Sequence, residues 1–311
     1  MSDLLFFKPI GRFALWGVNL VKNYFQYNEF PDGIGQFWSF STQDNASNIC
    51  LNGVYKGCTL KQIWEENPDL FRSKYHGFPF IISLVGAEDN LSIQVHPNDQ
   101  IAQSLGYEMG KNEAWYFLDS KPGSTIYYGH TYKNKKEMLE AVYTDHFDEK
   151  LLKKKVLKDS FVYLPAGLVH AMGKGNVVYE IQQSTDVTYR LYDFNRKDSE
   201  GHSRPLHLDE GLECIDFNQN DLDKEVAPLV QWLDTSKLTQ YVCDPSFIIY
   251  KFDVNERLNY SIDRYLVCTV TSGEGKVNNV RIKLGDSFLV PCTIKEIKLE
   301  GTMTIMATSE A

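Results

Sequence analysis

The chain has 311 residues and a formal net charge of −9, with 43% apolar and 23% charged residues. That composition is ordinary for a soluble globular protein of one large or two ordinary domains. Its acidic balance excludes a general nucleic-acid binder, which needs a basic face, but not a small anionic ligand held by two or three local cations. No run approaches the roughly twenty apolar residues of a membrane helix, and the N-terminal MSDLLFFKPIGRF lacks the basic start of a secretory signal. The six cysteines, at 50, 58, 214, 243, 268 and 292, form no CxxC pair; they read as reduced thiols of a cytoplasmic protein and make a thiolate zinc site improbable.

In chain order, PFIISLVGA, NLSIQVH, EAWYFLD and STIYYGH are short runs rich in β-branched and aromatic residues between turn formers, which predicts strands. After Asn134, with Glu137 three residues later as a capping-box pair, KEMLEAVYTDHFDEKLLKKKVL has the helical period, predicting one or two surface helices within 133–157. Strands resume at SFVYLPAG, NVVYEIQQ and VTYRLYDF. Residues 196–225, with a DSEGHSRP turn and an acidic run, read as a connection. From about Val226 onward, FIIYKFDV, YLVCTVTSGEGKV, VRIKLGDSFLVP and EIKLEGTMTIMA predict short strands of a sandwich or closed barrel. DSFVYLP at 159–165 is echoed by DSFLVP at 286–291, as expected of equivalent strands in two barrels. The pattern predicts a mainly β protein: residues 1–225 as one barrel with a helical insertion, residues 226–311 as a second.

All seven histidines precede residue 208, so any imidazole-based metal site belongs to the first barrel. In LSIQVHPND, Gln94 and His96 lie two apart on a strand and project to one face, with Ile93 and Val95 on the other. An amide oxygen and an imidazole can both bind a borderline metal, although a buried structural histidine is the simpler account of this pair alone. Lys111 and Glu113 share a face by the same arithmetic; they supply a carboxylate ligand and a neighbouring ammonium, or merely a solvated pair. In Pro165-Ala166-Gly167-Leu168-Val169-His170 a tight turn returns the histidine into a barrel mouth. With Asp159 before it, this is similar to the second cupin motif, whose histidine is a metal ligand. His96, Glu113, His170 and Gln94 together suit a divalent first-row metal with an open position. Further on, Glu180 shares a strand face with Gln182, and Arg190 with Thr188 and Tyr192; buried charges of this kind are paired or functional.

QVHPND, GKNEAWYFLD, PAGLVHAMGKG and YEIQQSTDVTYRLYDFNR, in that order and spacing, resemble the short bacterial type I mannose-6-phosphate isomerases of the cupin superfamily. The resemblance covers about the first 215 residues, and the C-terminal hundred match in general character only. It implies a double-stranded β-helix barrel holding one zinc on Gln94, His96, Glu113 and His170, a catalytic arginine at Arg190, and active-site Lys111 and Glu180. The segment from Gly35 to Asn45 departs from the family pattern, which bears on substrate preference and not on the metal motif.

The resemblance further implies interconversion of mannose 6-phosphate and fructose 6-phosphate by proton movement between C1 and C2 through a metal-stabilised cis-enediol. Arg190 would stabilise the enediolate and orient the sugar, Lys111 would assist proton transfer or contact the substrate, and Glu180 would act as base or hold Arg190. Ser92, on the face of Gln94, is the candidate phosphate contact. The rival classes are an iron-dependent cupin oxygenase, which shares the two-histidine, one-carboxylate set, and a non-catalytic sugar-binding or regulatory cupin. The Lys111 and Arg190 pair favours an anionic sugar phosphate over oxygen chemistry. Oligomeric state is not legible.

Overall fold

The computed structural model describes residues 4–144, 146–218, 227–242 and 244–311. The division drawn between residues 225 and 226, and Cys243, lie outside the described residues.

Along the chain come β1 (Leu5–Phe7), β2 (Ile10–Phe13), helix α1 (Leu20–Phe25), β3 (Ile34–Phe40), the two-residue strands β4 (Thr42–Gln43) and β5 (Ala46–Ser47), α2 (Leu60–Glu66), β6 (Phe80–Ala87), β7 (Ile93–Val95) and α3 (Asp99–Ser104). Then follow β8 (Glu113–Ser120), β9 (Thr125–His130), α4 (Lys135–Tyr143), β10 (Leu151–Lys155), β11 (Phe161–Leu164), β12 (His170–Met172), β13 (Asn176–Gln183), β14 (Tyr189–Tyr192) and α5 (Leu208–Cys214). The remainder is strand: β15 (Leu229–Leu233), β16 (Ser236–Val242), β17 (Ile248–Ser261), β18 (Leu266–Val277), β19 (Val280–Lys283), β20 (Ser287–Val290) and β21 (Glu296–Ser309).

Three antiparallel sheets carry the fold. A six-stranded sheet runs β11-β8-β13-β6-β3-β2 and a five-stranded sheet β10-β9-β12-β7-β14. Strict alternation divides the two faces of the first sheet. Ala114, Tyr116, Leu118, Val177, Tyr179 and Ile181 point outward into a core shared with Ile249, Val267 and Met306 of the C-terminal strands. Trp115, Phe117, Val178 and Val85 point inward, where Ile126, Leu168 and Met172 meet them from the second sheet. The second sheet turns Ile93, Val95, Ala171 and Leu191 outward, and the residues of α4 and α5 cover them. A barrel thus forms with polar side chains at one end of its inner face and an apolar plug at the other.

The seven C-terminal strands, with β1 paired to β20, build one eight-stranded sheet. β17 and β21 are 14 residues long and β18 is 12, longer than the short strands expected there. One face encloses an apolar cluster of Tyr250, Phe252, Val270, Phe288 and Ile305 among others, and the other packs on the six-stranded sheet. The two echoed DSF segments lead into β11 and β20.

The helical reading of 133–157 holds only in part. α4 is capped by the Asn134 side chain on the Glu137 amide, as the pattern predicts, and a 3-10 turn spans Phe147–Lys150. Leu151–Lys155 is instead an edge strand paired with β9. Lys153 and Lys154 lie over the rings of Tyr127 and Tyr128, and lysines on an edge strand discourage further pairing. α5 lies inside the segment expected to be a plain connection, and α1, α2 and α3 stand in a half expected to be strand.

Candidate metal centre and active site

The site is assembled by register. His170 of β12 stands opposite Gln94 of β7, and Gln94 stands opposite Arg190 of β14. Residues opposed across antiparallel strands share a face, so Arg190, Gln94 and His170 form one inward row on the five-stranded sheet. The facing sheet contributes two rows: Glu113 opposite Gln182, and Trp115 opposite Glu180, which is itself opposite Ser83.

The turn that delivers His170 depends on Gly167, whose φ of +86° favours glycine and whose Cβ would meet the Cys214 carbonyl oxygen at 3.1 Å. Asn112 holds the same turn. Its side-chain oxygen accepts from the Ala166 amide at 2.8 Å, while its own amide donates to the Gln183 side chain at 2.8 Å. Asn112 thereby ties the start of β8, the β11–β12 turn and the end of β13 together.

His96, Glu113 and His170 are each 1% exposed. His96 Nε2 lies 3.2 Å from Glu113 Oε1, and His170 Nε2 3.5 Å from Glu113 Oε2. The other ring nitrogen of each histidine faces a main-chain acceptor: Nδ1 of His96 the Val187 carbonyl at 2.9 Å, Nδ1 of His170 the Leu168 carbonyl at 2.8 Å. A carbonyl oxygen only accepts, so each Nδ1 carries the proton and each Nε2 turns a bare lone pair toward the carboxylate. His96 Nε2, His170 Nε2 and Glu113 Oε2 are buried with no hydrogen-bond partner. Three converging acceptors stripped of water are costly unless a cation lies among them. The donor set, two neutral imidazoles fixed by outer hydrogen bonds and one carboxylate, fits a divalent metal such as zinc. Among the described residues this is the one group of His, Cys, Asp and Glu able to hold an ion.

The charges around it are ordered by burial and proximity. Burial, with the Lys111 charge adding to it, pulls His96 down to about 4, against the opposing pull of Glu113. Burial would raise Glu113, yet the Lys111 charge beside it holds it well below the usual carboxylate range. The Lys111 ammonium lies 3.1 Å from Glu113 Oε1 and donates to Thr188 Oγ1 at 3.3 Å. Burial works against its charge, but Glu113, Asp186 and Glu180 hold its pKa above the ordinary value. Glu180 is pushed up to about 8 by burial and by the charge of Glu113. The Trp115 indole donates to Glu180 Oε1 at 2.7 Å, and the same ring meets His170 edge-on at 5.6 Å.

Arg190 is half-buried. It does not pair with Glu180: its Nη1 donates to the Pro205 carbonyl at 2.8 Å, and its Nε is buried without a partner. Glu180 and Arg190 therefore form no ion pair: the Trp115 indole holds the first and the Pro205 carbonyl takes a hydrogen bond from the second. The Gln94 carboxamide takes no hydrogen bond from the described residues. Ser92 is buried two residues before it. Trp115, Asn112 and Thr188 were not anticipated as site residues, although Asn112 and Trp115 sit inside the KNEAW motif itself.

Fold and site together define a metal-binding cupin with an enzyme-like cluster of buried ionisable groups at the barrel mouth. Residues 14–126 match the family model described as phosphomannose isomerase type I, catalytic domain, and residues 237–309 match that of the mannose-6-phosphate isomerase cupin domain. A mannose-6-phosphate isomerase of Streptococcus mutans is 33% identical over 316 residues, covering 99% of this chain and 98% of that protein. One of Bacillus subtilis is 35% identical over 307 residues, covering 96% of each. The crystal structure of the mannose 6-phosphate isomerase from Bacillus subtilis matches with a TM-score of 0.92 at 29% identity, covering 99% of this chain and all of that one. That of Salmonella typhimurium, at 13% identity and a TM-score of 0.75, shares the fold. The chain belongs to the type I phosphomannose isomerase family, and the likeness runs through the C-terminal hundred residues as well as the first 215. No helix among the described residues is long and apolar enough to cross a membrane.

Proposed function

We propose that this protein interconverts mannose 6-phosphate and fructose 6-phosphate, using one zinc ion held by His96, Glu113 and His170 with Gln94 as the fourth ligand. The observation that carries this reading is the convergence of three partnerless acceptor atoms beside the Lys111 cation, with Arg190 on the same inward row as Gln94 and His170. When bound, the metal supplies a Lewis acid near the C1 and C2 oxygens, which favours the charge that develops there.

The chain's own groups do the rest. Isomerisation removes the proton from C2 of the aldose and delivers one to C1, while a proton passes between O1 and O2. Lys111 keeps its charge because carboxylates surround it, so its part is to donate to a substrate oxygen rather than to accept a proton. Glu180, raised towards the working pH, is the group suited to take and return the proton; Trp115 holds its other face. Arg190 reaches the developing oxyanion with the planar fork that a point charge lacks. Ser92 is kept as a phosphate contact. An oxygenase would have no use for these two cations, and a mere sugar-binding cupin would have none for a carboxyl poised between protonation states.

We assign catalysis to residues 1–225 and a scaffolding part to 226–311, supported by the apolar contact between the C-terminal sheet and the outer face of the six-stranded sheet. A cytoplasmic setting accords with the free cysteines 50, 58, 214, 268 and 292. The test is a coupled assay on mannose 6-phosphate with metal analysis of the same preparation. Stoichiometric zinc and turnover support the reading; metal-bound protein without isomerase activity would overturn it.

A further inference from the structure

The chain reverses direction immediately after β14. Phe194 and Asn195 both adopt left-handed backbone, with φ of 54° and 53°, a conformation that non-glycine residues hold only where the surroundings enforce it. The loop then turns at Asp198, whose carboxylate caps the amides of Glu200 and His202, and comes back alongside β14. There the His207 amide donates to the Arg190 carbonyl at 2.8 Å, and the Arg190 amide donates to His207 Nδ1 at 3.2 Å. The returning strand thus places the Pro205 carbonyl against Arg190 Nη1.

What holds the return is a carboxylate buried to 5% exposure. Asp193 accepts a fork from Arg204, Nε to Oδ2 at 2.7 Å and Nη2 to Oδ1 at 2.5 Å, and a further bond from Arg196 Nη2 at 2.7 Å. Arg196 in turn reaches the Asn90 carbonyl and Asp89. Bidentate charge-assisted pairing of this kind fixes orientation as well as distance. Arg204 is adjacent to Pro205, so the pair fixes the one acceptor that orients the Arg190 guanidinium. The Arg204 charge works against that of Arg190, and the Asp193 carboxylate offsets part of it.

We propose that Asp193 and Arg204 act as a clamp that positions Arg190: by locking the return of the 194–207 loop, the pair places the Pro205 carbonyl that aims the guanidinium into the barrel. This deepens, and rests on, the catalytic reading of Arg190. Asp193 and Arg204 are positioning residues and touch no substrate.

The experiment is a double-mutant cycle on the metal-loaded enzyme. Arg204→Ala leaves Asp193 paired with Arg196, and should lower kcat by about tenfold to a hundredfold, the scale of a small misplacement of a catalytic group, with KM within about twofold and metal content unchanged by the same reasoning. Arg204→Lys should recover part of the loss. Asp193→Asn is the second variant, with the same kcat signature. In an Arg190→Ala background, Arg204→Ala should cost less than about twofold further, because the group it positions is gone. Arg190→Ala slow but Arg204→Ala and Asp193→Asn at wild-type kcat would overturn the clamp alone, as would an undiminished loss in the Arg190→Ala background. Arg190→Ala at normal kcat would overturn both the reading of Arg190 and the clamp built on it.

Discussion

Lowering the pH of the metal-free protein should destabilise it through His96, by an amount that follows from its burial. The ring is 1% exposed, and burial with the neighbouring Lys111 charge brings its pKa from 6.5 to about 4. Because the folded value lies below the unfolded one, the unfolded chain binds the proton first as pH falls, and the folded chain follows only near the lower value. The stabilisation is therefore complete above about pH 6.5 and is lost progressively down to about pH 4. At about 1.36 kcal/mol per unit, the loss is bounded at about 3 kcal/mol, of which about 2 kcal/mol should be gone by about pH 5. With roughly 2.1 cal/mol/K of unfolding entropy per residue, a chain of this size should lose about 3 °C in Tm from that contribution. The assay is the Tm of chelator-treated protein between about pH 7.5 and pH 5, for the wild type and for His96→Gln, with the difference in slope assigned to His96. Equal slopes would refute the claim that His96 is a buried neutral ring with its lone pair held for a metal.

Three further outcomes are expected. His170→Ala removes one imidazole from a minimal ligand set and should strip most of the metal, measured by elemental analysis; full metal content would move the site elsewhere. Arg190→Ala should keep its metal and Tm and lose about a hundredfold in kcat with KM little changed, the cost of one preorganised charged donor, and Arg190→Lys should recover little; near-normal kcat with a sharply lowered Tm would make the residue structural. Glu180→Gln keeps an acceptor for the Trp115 indole and should stay folded, while kcat falls by about a hundredfold or more; a fully active variant would leave Glu180 only its partnership with Trp115.

Much of the fold was legible because strands such as Asn176–Gln183 and Glu113–Ser120 sit in continuous β-branched and aromatic runs cut by turn formers. Four short helices escaped. Leu20–Phe25, Leu60–Glu66, Asp99–Ser104 and Leu208–Cys214 have six or seven residues, too few for a helical period to register, although the Thr59–Gln62 capping box was there to be found. The helical pattern overran at Leu151–Lys155 because that segment's conformation is decided by the free edge of β9, a tertiary partner the local sequence does not contain. In the site, the pairing of Lys111 with Glu113, at the entry to β8, follows from strand geometry alone. What stayed hidden was the outer support: the carbonyls of Val187, Leu168 and Pro205 act through main-chain oxygen, which any residue could supply. Of the two roles open to Glu180 in the sequence, that of holding Arg190 is not met, because opposite charges near in sequence need not be near in space. The fold puts them on different sheets and gives each a neutral partner.

The central claim is that a single metal on His96, Glu113 and His170 makes this barrel an isomerase for mannose 6-phosphate. It is tested most directly by stripping the protein with chelator and titrating zinc back while conversion of mannose 6-phosphate to fructose 6-phosphate is followed. Activity should be lost on stripping, return linearly and saturate at about one metal per chain, the capacity of one set of ligands. Activity that survives complete removal of metal, or a saturated site that turns over no mannose 6-phosphate, would contradict it.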